Sequence, residues 1–146
     1  MNVPHDAHVL VIDGRKLLLF RNEGGAADPR LGLETLREQD SAPTQEQGSD
    51  RPGRTHASVG GSHSSYEQTD FHQMDEDAFA ARAAALLNRQ VLGGQIRALV
   101  VVAAPRTLGA LRKHYQAGLK AVLLGEIAKD MAGHTTEDIL AGLGAA

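Results

Sequence analysis

Residues 98–104 contain no polar side chain, in the stretch RALVVVAA that runs from Arg97 to Ala104. The run is far too short to span a bilayer, which takes about 18 apolar residues. It shows no alternation of polar and apolar positions, so a strand built from it must be covered on both faces. That is the mark of a central parallel strand, with helices packed above and below it. The requirement selects an α/β architecture. The chain has 146 residues, the usual size of one domain. Aromatic residues are 3% of the chain and Trp is absent, so the core must come from Leu, Val, Ile and Ala.

The rest of the sequence arranges itself around that strand. Residues 8–13 (HVLVID) predict a first strand ending in an Asp13-Gly14 turn. Residues 16–21 (KLLLFR) follow as its hairpin partner, with Leu17 to Phe20 apolar on both faces. Residues 31–38 (LGLETLRE) predict a third strand, half buried. Residues 40–69 are rich in Ser, Gly, Gln, Asp and His and predict a long polar loop. A helix is expected to open at Asp70, with Gln73 at capping-box spacing, and to end at Gly93-Gly94. Pro105 suits the first turn of a second helix. Residues 121–127 (AVLLGEI) predict another strand, and Thr135 or Thr136 caps a last helix. The order β-β-β-α-β-α-β-α makes one mixed sheet flanked by helices, in a single domain over 1–146.

Net charge is −3, but the charge is unevenly placed. Residues 78–125 contain no Asp or Glu, and all 18 acids lie elsewhere. The same stretch carries Arg82, Arg89, Arg97, Arg106, Arg112, Lys113 and Lys120. Such asymmetry marks either a nucleic-acid-facing surface or a solvated face on an Ala- and Leu-rich half. There is no Cys, which excludes disulfides and thiolate metal sites. The N-terminal residues lack the basic start and unbroken apolar run of an export signal, so a cytoplasmic protein without membrane insertion is expected.

Several blocks resemble a known family. Arg51-Pro52-Gly53-Arg54, Ser58-Val59-Gly60, the run 105–113 (PRTLGALRK) and the run 126–130 (EIAKD) are similar to the bacterial host-attachment family. Its members are described as required for attachment to host cells. Val11-Ile12-Asp13-Gly14, followed by two further strands, a long loop and a helix, resembles the middle domain of archaeal and eukaryotic peptide-chain release factors. That likeness implies a ribonuclease-H-like fold, a ribosome or tRNA as partner, and an ester-hydrolysing Gly-Gly-Gln tip in the loop before the helix. The chain does contain Gly93-Gly94-Gln95, but after the expected helix, where a Gly pair is explained by helix termination. The loop before the helix carries Gly60-Gly61-Ser62-His63 instead.

Candidate chemistry follows from these residues. Arg51, Arg54, Arg106, Arg112, Lys113 and Lys120 are the expected RNA-binding groups, because guanidinium forks suit phosphates. Gly60, Gly61, Ser62 and His63 are the candidates for catalysis, with His63 as a general base on a peptidyl-tRNA ester. Asp13 is a candidate metal ligand if Asp70 or Glu126 meets it, and otherwise a hairpin turn. His56, His63 and His72 near Asp70 and Asp75 match no compact zinc spacing. No cofactor is expected, and self-association stays open.

Overall fold

The computed structural model describes residues 1–39 and 61–146, with side chains left out of description over 61–71. Five strands form one mixed sheet: β1 (His8–Ile12), β2 (Lys16–Asn22), β3 (Leu31–Glu38), β4 (Leu99–Ala103) and β5 (Leu123–Ala128). Their spatial order is β3-β2-β1-β4-β5. The β1–β2 and β2–β3 pairs are antiparallel, whereas β4 runs parallel to both β1 and β5. The helices are α1 (Gly61–Leu92), α2 (Pro105–Arg112), α3 (Ala117–Val122) and α4 (Thr136–Ala145).

All five residues of β1 and of β4 are buried, as two covered faces require. Alternation divides the sheet's side chains between two clusters. Leu10, Ile12, Leu17, Leu19, Leu99 and Val101 meet Phe79, Ala83, Leu87, Leu108, Leu111 and Leu119 of α1, α2 and α3. Val9, Val11, Leu18, Phe20, Val100 and Val102 meet Met131, Ile139 and Leu143 on and before α4. The four-residue apolar run of β2 therefore serves both faces, as expected.

Three expectations need correction. The long helix begins at Gly61, not Asp70, so part of the expected loop is helical. No Gly or Pro interrupts residues 62–92, so nothing stops the helix extending upstream past the apparent cap. Gln73 instead donates to Asp77 Oδ1 at 2.8 Å, one turn on. Second, α3 was not anticipated, and β5 starts at Leu123 rather than at residue 121. Leu119 is buried against the core, which draws residues 117–122 around it into a helical turn. Third, β3 does not keep its alternation: Leu33 and Leu36 are 51% and 44% exposed. Its pairing with β2 jumps from Leu19↔Thr35 to Phe20↔Leu33, a bulge that leaves Glu34 over.

The end of α1 follows the expectation in detail. Gly94 has φ +79°. Its N–H donates to the Val91 carbonyl at 3.1 Å, and the Gln95 N–H donates to the Gln90 carbonyl at 2.9 Å. This pair of bonds is a Schellman motif. Gly93-Gly94-Gln95 is thus a helix terminator in structure as in sequence.

Candidate nucleic-acid interface

Residues 78–125, which hold no acid, supply residues 78–92 of α1, all of α2 and α3, and β4. The three helices pack on the same face of the sheet. Their cations therefore occupy one layer of the molecule. Within that layer they divide into two groups on the flanks of α1.

On one flank, Arg82 and Arg89 stand seven residues apart, two helical turns, and so share a side of α1. With Arg37 of β3 they surround a groove of about 300 Å³ floored by Leu17, Phe79, Ala83 and Leu86. The Arg82 guanidinium lies 5.9 Å from the Phe79 ring centroid and donates to Gln39 Oε1. Gln39 Nε2 in turn donates to the Asp75 carbonyl at 3.2 Å, tying the end of β3 to α1. Sequence reasoning missed this groove. The seven-residue spacing of Arg82 and Arg89 was the available signal, but Arg37 joins them only through the sheet.

On the other flank lie α2 and α3. Asn88 of α1 holds their connection: its Nδ2 donates to the His114 carbonyl at 2.9 Å and its Oδ1 accepts from the Gln116 N–H at 3.2 Å. Arg106 in the first turn of α2, Lys113 just beyond its end and Lys120 in α3 are exposed. None of the three makes a hydrogen bond or ion pair among the described residues. Among the described residues nothing neutralises their charge, which can meet an external anion.

Arg112 is different. Its Nε and Nη2 donate to Glu126 Oε1 at 2.9 and 2.7 Å, while Tyr115 Oη donates to Glu126 Oε2 at 3.0 Å. Two of the blocks singled out in the sequence, around Arg112 and Glu126, thus meet as an ion pair. The hydrogen bond and charge of Glu126 raise the guanidinium's already high pKa. Burial, then the Glu126 charge and hydrogen bond, push the Tyr115 phenol well above the usual range. Arg112 is engaged within the protein, so its expected role toward RNA is weakened by this partner.

Asp13 closes the β1–β2 hairpin. Its Oδ1 accepts from the Arg15 and Lys16 N–H groups at 2.8 and 2.7 Å. A Cβ on the neighbouring Gly14 would collide with the Glu76 carboxyl of α1, so the turn and the helix are in close contact. Glu126 sits on β5, two strands from β1, and is held by Arg112 and Tyr115. The two carboxylates are not brought together. Among the described residues, no group of three or more His, Asp or Glu side chains is placed to hold a metal.

Arg51, Arg54, His56 and Gly60 lie outside the described residues. Gly61, Ser62 and His63 form the first turn of α1, their side chains outside the description, as is that of Asp70. Among the described residues no helix is long and apolar enough to cross a membrane. No curated protein matches the chain. The model of one protein family, bacterial archaeo-eukaryotic release factor family 12, matches residues 6–143.

Proposed function

The chain belongs to bacterial archaeo-eukaryotic release factor family 12, and from that premise we propose that it acts in the cytoplasm as an RNA-binding protein at the ribosome. The family match over residues 6–143 is the observation that carries the reading. The acid-free stretch 78–125 within that helical layer supports it. Arg106, Lys113 and Lys120 are cations without a partner among the described residues, and Arg82 and Arg89 rim a groove with an apolar floor. Phosphate-neutralising contacts of this kind weaken steeply with salt. The test is co-sedimentation of the protein with ribosomes from a lysate, together with a filter-binding titration of tRNA across salt. Ribosome association and salt-sensitive tRNA binding are expected. Failure of both at low salt removes the reading. Under it, any role in attachment to host cells is indirect.

A second reading is hydrolysis of the ester of peptidyl-tRNA. It draws on the start of α1 at Gly61, since Gly61, Ser62 and His63 form the first turn of the long helix. His63 would act as general base on water. Replacing His63 by Ala abolishes turnover under this reading, and undiminished turnover excludes that role.

A further inference from the structure

The sheet ends on β5 at one side and on β3 at the other. Part of β5 is covered, since a Cβ on Gly125 would collide with the Met1 side chain. β3 is the longer edge, and each of its residues is exposed or half-buried. No strand lies beyond it among the described residues. An edge of this kind is a template for another strand.

The bulge decides what the edge offers. Arg30 and Gln39, just outside β3, both face β2. The Glu23 N–H donates to the Arg30 carbonyl at 2.8 Å, and the Gln39 N–H to the Arg15 carbonyl at 2.6 Å. Backbone groups of an antiparallel strand alternate in direction. Counted from either end, those of Leu31 and Leu33 before the bulge, and of Leu36 and Glu38 after it, point away from the sheet. The side chains change step at the same place. Leu33 stands opposite Phe20 and Leu36 opposite Leu18, so both leucines lie on the α4 face. Gly32 and Arg37, opposite Arg21 and Leu17, lie on the α1 face.

These positions are related by symmetry about the bulge. A second β3, antiparallel about a two-fold axis between Glu34 and Thr35, sets Leu33 against Leu36 and Leu31 against Glu38 of the other copy. Every outward N–H and C=O then faces its complement. A bulge ordinarily spoils an edge for pairing. Here the step it introduces is matched by the same step in the copy.

The charges match as well. Arg37 comes opposite Gly32 of the second copy, and the Glu23 carboxyl fills the space a Gly32 side chain would take. Within its own chain Arg37 donates to the Leu36 carbonyl at 3.2 Å and has no acid among the described residues. The acid nearest the axis, Glu34, is turned inward, 2.8 Å from His8 Nε2 and 3.1 Å from Arg21 Nε. It is anchored there: His8 is buried, and its Nδ1 has no other partner among the described residues.

We propose that β3 is a homodimer interface. Two copies join edge to edge in one continuous sheet, with Leu33 packed on Leu36 across the axis and Arg37 paired with Glu23 of the second copy. The inference goes beyond RNA binding, and its readout is mass, so ribosome association bears on neither outcome.

Sedimentation equilibrium of the full chain, from about 1 to about 300 μM, is expected to show monomer and dimer in exchange. Leu36→Lys and Leu33→Lys, at exposed positions, should each weaken the dimer at least about tenfold while leaving the melting transition in place. Arg37→Glu and Glu23→Arg each set like charges against one another across the axis, and each should weaken self-association. Mixed in equal amounts, these two variants should recover the dimer, because every ion pair in the mixed dimer is of opposite charge. A chain that is monomeric at about 300 μM, a dimer untouched by both lysine variants, or a mixture of the two charge variants that associates no better than either alone each overturns the proposal.

Discussion

Asn22, at the end of β2, is fully buried. Its Nδ2 donates to the carbonyls of Val3, Pro4 and Gly25, and its Oδ1 accepts from the Gly24 and Arg30 N–H groups at 2.9 Å. One side chain thereby holds the N-terminal segment and the β2–β3 loop together. Asn22→Ala strands those backbone groups and should cost about 3 kcal/mol in urea denaturation. A loss within about 0.5 kcal/mol would mean that the groups find other partners. Gly94 makes a smaller demand. Its positive φ, with no steric obstacle to a Cβ, puts the cost of Gly94→Ala at about 1 kcal/mol. Gln95→Ala should leave tRNA binding unchanged if the Gly93-Gly94-Gln95 triplet is only a terminator. A large loss of binding in the Gln95 variant would revive it as a functional tip. The terminator was legible in sequence because helix-stop chemistry is local. Asn22 and His8 were not, because a strand pattern records only which side of the sheet a residue faces.

At the scale of elements, α2 and β5 are joined through Arg112, Tyr115 and Glu126. The raised phenol pKa favours the protonated Tyr115 in the folded state. The stability it contributes is therefore fully present below about pH 10, the unfolded value, and is lost as pH rises above it. Glu126→Gln removes two of the three causes that raise the pKa and should lower it, though burial, the largest cause, keeps it above that of a free phenol. Arg112→Gln should move it the other way, since the guanidinium charge lowers it. Ultraviolet titration of the phenolate, with Tyr115→Phe to subtract the other tyrosine, reads both shifts. Shifts of the same sign in both variants would contradict this account. The motif blocks were visible in sequence, yet their meeting was not, because a parallel β4–β5 crossover decides which positions face each other. The start of α1 was misread for a related reason. A capping signal counts only where the chain can stop, and nothing in residues 62–69 ends a helix.

Across the whole molecule, the charge asymmetry along the chain becomes a cation-bearing helical layer. If that layer meets RNA, the logarithm of affinity falls linearly with that of salt, and each engaged cation adds roughly one to the slope. Arg106→Gln should lower the slope by about one, and Arg112→Gln by much less, since Glu126 already holds that guanidinium. Equal effects of the two variants would show that the ion pair does not withhold Arg112. The sequence alone determined the class of fold, the doubly covered central strand and the cation-rich half, because these depend on apolar periodicity and on counting charges. Only the tertiary structure decided, among the described residues, which cations are free, which are spent on acids, and where a buried imidazole lacks a partner. Those properties arise between residues distant in the chain, and no local pattern carries them.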